Sequence, residues 1–145
     1  MKHMGHVGFC TIAVIATGWF GGSQPETASA SCALSRPFAT ILKTAPVIFV
    51  GKVVFTTDQG RHASVRVLDV WRGRGIPRSV TVWGSPNVQS GFTSVDRKYS
   101  RGTVYLFIPA SGQPTPPYDD NICSGTRPYT ARLAKYRPPG AHRPG

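Results

Sequence analysis

The chain has 145 residues, with 17 lysines and arginines against 6 aspartates and glutamates, so its formal net charge at pH 7 is +11. This length leaves room for one small domain with a modest core, and not for several domains. The basic balance favours anionic partners such as acidic glycans, cell-wall polymers, lipid head groups or nucleic acid, and it says nothing about the fold.

The first 30 residues have the features of an export signal. Lys2 gives a weakly positive start, and residues 7–20 form an apolar run that is shorter than the roughly 20 residues needed to span a bilayer. Ala28-Ser29-Ala30 has the small-x-small form of a signal-peptidase site. We therefore expect cleavage after Ala30, with an uncleaved N-terminal anchor as the alternative. No later stretch is apolar enough to cross a membrane, so we expect a soluble, extracytoplasmic mature chain.

The positions of the cysteines agree with export. Cys10 lies inside the apolar run, whereas Cys32 and Cys123 both lie in the mature part. Two cysteines are the count expected of a small exported domain closed by one disulfide, so we predict a bond between Cys32 and Cys123. The mature part keeps 16 basic and 5 acidic residues, because Lys2 and Glu26 both fall in the leader.

The mature chain begins with a predicted short helix. Apolar residues recur at spacings of three and four from Phe38 to Ala45, which gives the helix one buried face. Ser35 is expected to be its N-cap and Pro37 to lie in its first turn. Pro46 ends it.

Runs of β-branched and aromatic residues then predict four strands. These strands are expected at residues 47–57, 62–71, 78–83 and 102–109. Asp58-Gln59-Gly60 is a turn, so the first two strands form a hairpin. Gly51, in the middle of the first strand, indicates a bulge or a close approach of the backbone. In the fourth strand, Tyr105 to Phe107 are expected to alternate between core and surface.

The remaining segments are expected to be mostly loops. Residues 84–101 have little pattern, with a short strand expected near Phe92 at most, and residues 110–120 are proline-rich. Residues 130–136 are consistent with either a short strand or one or two helical turns. The basic Pro- and Gly-rich tail at residues 137–145 is expected to be disordered. These features predict a mainly β protein with a small closed or partly closed barrel.

Five segments of the mature chain resemble a known family in their order and spacing. They are residues 32–34, 45–53, 65–73, 102–107 and 123–126. This arrangement resembles the netrin-like domain, specifically the bacterial relatives of the tissue inhibitors of metalloproteinases. The resemblance extends to about Arg132. It implies an OB-type five-stranded Greek-key barrel at residues 31–136, with a short N-terminal helix and a C-terminal helix.

The sequence also departs from that family at the inhibitory end. In the animal inhibitors, the mature chain starts with a cysteine of a C-x-C pair, whose amine and carbonyl chelate the zinc of the target protease. Here Ala30 stands two positions before Cys32, and Ser90 or a neighbour stands where the partner cysteine is expected. The resemblance thus implies that one disulfide is missing as a whole and that Cys32–Cys123 is the family's second bridge. Cleavage after Ala30 would leave Ser31 and Cys32 as the inhibitory N-terminus.

Nothing in the mature chain predicts an enzyme. It has two histidines, His62 and His142, and lacks a nucleophile motif, a phosphate-binding loop or the spacing of a zinc site, so we expect no catalytic residue, metal or cofactor. Asp119-Asp120 could belong to a calcium loop, but a solvated turn is the favoured interpretation.

Two functions therefore remain as hypotheses. The first is a secreted, non-enzymatic domain that binds a protein, with a metalloprotease as the target implied by the resemblance. The second is a basic module that binds an anionic envelope polymer or polysaccharide, since export argues against nucleic acid. Two tryptophans, Trp71 and Trp83, would accompany the basic residues of this second site. Its candidate anion-binding residues are Arg72, Arg74, Arg78, Arg97, Lys98 and Arg101.

Overall fold

The computed structural model of the protein describes Cys32 and residues 36–85 and 94–145. This part of the chain is mainly β, as predicted. The strands are β1 Ile48–Thr57, β2 His62–Arg72, β3 Ser79–Trp83, β4 Val104–Phe107, β5 Tyr118–Asp119 and β6 Arg127–Pro128. The helices are α1 Phe38–Thr44 and α2 Ala131–Ala134. Neither helix in this described part has the length and apolar character needed to cross a bilayer.

The six strands form one sheet in the order β5-β3-β2-β1-β4-β6, which curls into a half-barrel. β1, β2 and β3 form an antiparallel meander, and β4 pairs antiparallel with β1. β5 pairs in parallel with β3. The amides of Ala110 and Ser111 donate to the carbonyl of Asp119 at 2.9 and 3.3 Å, so the chain that leaves β4 reaches back towards β5 at the opposite edge.

Apolar side chains pack on both faces of the sheet. The concave face carries the larger cluster, in which the Phe49 ring contacts Phe107 and Tyr118 at centroid distances of 5.0 and 5.6 Å. On the other face, α1 and α2 cover the first half of β1 and all of β4. Because both faces of β4 are covered, Leu106 is as buried as Tyr105 and Phe107. The expected alternation between core and surface along β4 is therefore wrong.

The hairpin of β1 and β2 and the irregularity at Gly51 are confirmed. The pairing register shifts between Val50 and Gly51, as in a β-bulge. A side chain at Gly51 would collide with Cγ1 of Val65 and lie 3.4 Å from the ring of Phe107. Glycine is needed here because β2 and β4 both approach the backbone of β1 closely.

Replacing Gly51 with alanine is expected to lower the free energy of unfolding by about 1–3 kcal/mol, the usual cost of overpacking a core. Gly112→Ala is the matched control, because its nearest neighbour would be Cγ of Pro46 at 3.8 Å. Urea denaturation of both variants measures the difference. Equal midpoints for the two variants would contradict this interpretation of Gly51.

One predicted helix boundary and one predicted loop differ in the structure. α1 begins at Phe38 with Pro37 as its N-cap, because Pro37 has an extended ψ of 138°, so Pro37 does not lie in the first turn. Ser35, the predicted N-cap, lies outside the described residues, as do Ser90 and Phe92. The predicted loop at residues 110–120 contains β5, because Tyr118 is completely buried in the core. β6 lies at Arg127–Pro128, where no strand was predicted, so the sheet has six strands where five were expected.

The C-terminal segment, predicted to be disordered, is placed against β2. Arg137 forms two hydrogen bonds with the carboxylate of Asp69, at 2.7 and 2.9 Å. His142 and Val70 exchange backbone hydrogen bonds at 2.7 and 2.9 Å. Composition suggested disorder because it does not show contacts with β2, which join residues that are far apart in the sequence.

Candidate functional site

The Cys32–Cys123 disulfide is confirmed and marks one end of the half-barrel. The two Cα atoms lie 5.3 Å apart, within the normal range for a disulfide. Cys32 precedes α1, and Cys123 lies in the loop between β5 and β6. The bond therefore ties the start of the described fold to a loop that is 91 residues away in sequence.

A groove of about 440 Å³ opens beside this disulfide. α1 and the chain after β4 form its walls, and Ile41 and Ile108 supply apolar surface. The polar lining residues are Arg36, Thr44, Asn121 and Ser124. A concave, partly apolar surface with a few polar groups is typical of a binding site.

Arg97 holds the loop that carries Cys123. Its Nε and Nη2 donate to the carbonyl of Asn121 at 3.0 and 2.8 Å. The Asn121 side chain in turn accepts a hydrogen bond from the amide of Cys123 at 2.9 Å. The hydroxyl of Thr126 accepts from the amide of Ile108 at 2.8 Å and joins this loop to the end of β4. The loop beside the groove is thus fixed from two sides.

The carboxylate of Asp120 lies beneath this loop and is fully buried, with 0% exposure. It lies 3.2 Å from Nε of Arg97 and accepts a hydrogen bond from the Tyr99 hydroxyl at 2.6 Å. Burial raises the pKa of Asp120, while the charge of Arg97 and the hydrogen bonds from Ser124 and Tyr99 act in the opposite direction. Burial also raises the pKa of Tyr99, helped by the negative charge of Asp120, so the hydroxyl stays a donor.

The expectation of a solvated turn at Asp119-Asp120 is therefore wrong for Asp120. Asp119 is half-buried in β5, where it pairs with Trp83 of β3. Sequence reasoning missed the role of Asp120 because its partners, Arg97 and Tyr99, come from the segment before β4. The acidic pair in a proline-rich stretch gave no local sign of burial.

The structure does not bring the six candidate anion-binding residues together. Arg97 is bonded to Asp120 and to the carbonyl of Asn121. The Arg72 guanidinium donates to the carbonyls of Lys43 and Ala45 at the end of α1, at 2.8 and 2.9 Å. The other four are exposed. They are Arg74, Arg78, Lys98 and Arg101.

These residues also belong to different ends of the sheet. Arg72 is the last residue of β2 and Arg74 follows it, whereas Tyr99, next to Lys98, donates its amide to the carbonyl of Gly60 just before β2 begins. β2 has 11 residues, which span roughly 33 Å at about 3.3 Å per residue. Trp71 is buried, and its indole N–H bonds Asp69 at 3.0 Å, whereas Trp83 is half-buried against His62. One continuous basic and aromatic patch therefore does not form from this set.

Comparison with known proteins adds no relative. A scan against models of protein families finds no match, and a search of the curated proteins finds none either. The likeness to netrin-like domains therefore stays an expectation based on the order of five short segments.

Proposed function

We propose that this protein is an exported, non-enzymatic domain of the netrin-like type that binds another protein through the end that carries the Cys32–Cys123 disulfide. The observation that supports this most is the groove of about 440 Å³ between α1 and the loop of Cys123. The paired cysteines and the resemblance to inhibitors of metalloproteinases support export and a protein partner. A zinc metalloprotease is the first partner to test.

The strand order supports an OB-type barrel within this proposal. In the order β4-β1-β2-β3, a meander of three strands is joined by a fourth strand that returns beside the first, and this spatial order is the one expected of a Greek key. β5 beside β3 and the hydrogen bonds from Ala110 and Ser111 to Asp119 bring the two edges of the sheet towards closure. A partly open Greek-key barrel is the form that OB-type domains take.

The inhibitor-like mechanism depends on where the mature chain starts. If cleavage follows Ala30, Ser31 carries the free amine and is bonded directly to Cys32. An amine and a neighbouring carbonyl can both ligate a protease zinc, which uses nitrogen and oxygen ligands. Such binding is favoured when the ligating atoms are held in place beforehand. Here the disulfide and the loop held by Arg97 fix Cys32 to the fold.

We expect protein that starts at Ser31 to inhibit a zinc metalloprotease, and protein with one alanine added before Ser31 to inhibit at least about tenfold less. The added residue moves the amine by about 3.8 Å, beyond reach of the same metal position. Mass spectrometry of the exported protein should first show a start at Ser31 and a mass two hydrogens below that of the reduced form. Cleavage of a fluorogenic peptide by a panel of such proteases gives the inhibition constants.

An alanine added after Gly145 is the control for that experiment, since it changes the length and leaves the N-terminus intact. Equal inhibition by the two N-terminal forms would exclude chelation by the Ser31 amine. Lack of inhibition across the panel would exclude the protease as partner.

Binding of an anionic envelope polymer is the second candidate, favoured by the exposed arginines of the connection between β2 and β3. Arg74 and Arg78 are exposed there, and no ion pair of the described residues involves either one. We expect retention on immobilised heparin that falls with salt and is reduced by Arg74→Ala combined with Arg78→Ala. Retention that is unchanged in the double variant would contradict a site at this connection.

A further inference from the structure

Part of the convex face of the sheet lies outside the area that the helices cover. We call it the open face and define it by five side chains of β1 and β2. They are Lys52, Val54, Phe55, Arg66 and Leu68. Val54, Phe55 and Leu68 are 40%, 56% and 41% exposed, and exposed large apolar side chains grouped on one face are typical of an interaction site.

Two positive charges face each other at the centre of the open face. Lys52 and Arg66 are direct partners in the pairing of β1 with β2. Their neighbours Val53, Val65 and Val67 point into the core, so alternation along each strand directs Lys52 and Arg66 outwards. Like charges in directly opposite positions repel each other.

The fold supplies no carboxylate to this pair among its described residues. Asp58 and Asp96 both bond Arg61. Asp69 bonds Arg137, and Asp120 bonds Arg97. The remaining described aspartate, Asp119, lies in β5, beyond β3 from this pair. Lys52 and Arg66 are therefore left with a repulsion that a negative group from outside would relieve.

Apolar side chains flank the two cations in both directions along the strands. Towards the turn at residues 58–60, the register shifts between Val53 and Phe55, and both Val54 and Phe55 remain exposed. In the opposite direction, Leu68 is exposed opposite the register shift at Gly51. Exposed apolar side chains thus lie on either side of the charged pair, in each direction beside a register shift.

We propose that the open face is a docking surface for an acidic polypeptide. The partner places an aspartate or glutamate carboxylate between Lys52 and Arg66 and apolar side chains against Phe55, Val54 and Leu68. An arginine surrounded by apolar side chains and excluded from water is the usual composition of an energetically important interface centre. The open face shares no residue with the groove at the disulfide, so this proposal stands independently of the inhibitor-like function.

The composition of the open face favours a polypeptide over other anionic partners. A sugar ring stacks on a flat aromatic side chain, and two of the three apolar side chains here are aliphatic. A lipid surface would take apolar side chains into the acyl region with cations at the rim, whereas here the cations lie in the middle. An acidic peptide with apolar side chains matches both the charge and its position.

The test uses a fluorescently labelled twelve-residue peptide that repeats aspartate, leucine, aspartate and phenylalanine. Its fluorescence anisotropy is measured against the oxidised protein at 0.1 M salt. Lys52→Glu combined with Arg66→Glu is expected to raise the dissociation constant at least about tenfold. Phe55→Ser is expected to raise it at least about threefold without a change of charge. Peptides with asparagine in place of aspartate, or serine in place of leucine and phenylalanine, are expected to bind at least about tenfold more weakly.

Arg132→Glu combined with Arg143→Glu is the matched control. Both arginines are exposed and lie outside the open face, and the double variant has the same net charge as the test variant. We expect it to change the dissociation constant by about twofold at most. An equal loss in both double variants would show that only net charge attracts the peptide and would overturn the proposal.

Three further outcomes bear on the proposal. Lys52→Glu alone should raise the melting temperature, because it places opposite charges directly across β1 and β2. The same variant should still weaken peptide binding. Weaker binding by a more stable protein cannot be caused by unfolding. Binding of heparin or of vesicles rich in phosphatidylserine is measured in the same way. If either binds more tightly than the peptide, and the Lys52 and Arg66 double variant weakens that binding, the choice of a polypeptide is overturned. Absence of measurable peptide binding would also overturn it.

Discussion

Replacing Asp120 with alanine is expected to lower the free energy of unfolding by about 3–5 kcal/mol, the cost of leaving a buried charge without its partner. Asp120 is 0% exposed, and the Arg97 side chain is 13% exposed. The variant also leaves the buried hydroxyl of Tyr99 without its acceptor. Urea denaturation measures the change, and a loss below about 1 kcal/mol would contradict the importance of this pair.

A double variant separates the cost of breaking the buried ion pair from the cost of burying the two charges in the first place. Burial penalises both charges, so replacing both Asp120 and Arg97 with leucine removes two desolvated groups at once. We expect this double variant to be more stable than Asp120→Ala. A double variant that loses as much stability as Asp120→Leu and Arg97→Leu lose together would mean that each side chain acts separately.

The same carboxyl predicts a specific dependence on pH. Because burial raises the folded-state pKa of Asp120 above its ordinary value of 3.8, the folded protein binds this proton more readily than the unfolded chain does. Its contribution to stability is therefore greatest at low pH and decreases as the pH rises from about 3.8 through the folded-state pKa. Relative to Asp120→Asn, the wild-type protein should lose stability over that window, as measured by urea denaturation at several pH values.

Loss of the Cys32–Cys123 bond is expected to lower the free energy of unfolding by up to roughly 4–5 kcal/mol. This magnitude follows from the entropy that the unfolded chain regains when a loop with a sequence separation of 91 is opened. It is large for a small domain whose stability is about 5–15 kcal/mol in total. The bond also closes one side of the groove, so we expect binding there to weaken at the same time.

Urea denaturation with and without dithiothreitol measures this effect. Cys32→Ser combined with Cys123→Ser is the control, because its stability should match that of the reduced protein and should not respond to the reductant. An unchanged midpoint for the reduced wild-type protein would show that tertiary packing alone holds the two ends together.

Basic residues that look alike in the sequence have different roles, because tertiary contacts engage some of them and leave others exposed. Arg97 and Arg101 are close in sequence and identical in chemistry, yet Arg97 is bonded to Asp120 and Asn121, and Arg101 is exposed. Lys52 and Arg66, by contrast, belong to no basic run. They meet only because β1 pairs with β2 in one register.

The sequence by itself determined the mainly β class, the hairpin of β1 and β2, the irregularity at Gly51 and the pairing of Cys32 with Cys123. These features are local or follow from counting. Alternation and β-branched residues act within one strand, and the expectation of a leader that contains Cys10 leaves one pairing for the other two cysteines.

Only the tertiary structure decided which charges are buried and which face of the sheet stays open. β5 and β6 have two residues each, which is too short for a periodic sequence pattern. They are strands only because they pair with β3 and β4. Asp120 becomes a buried anion because residues from the segment before β4 surround it, and β4 is covered on both faces because α1 and α2 fold across it. Each of these outcomes depends on contacts between distant residues, which a pattern read along the chain does not contain.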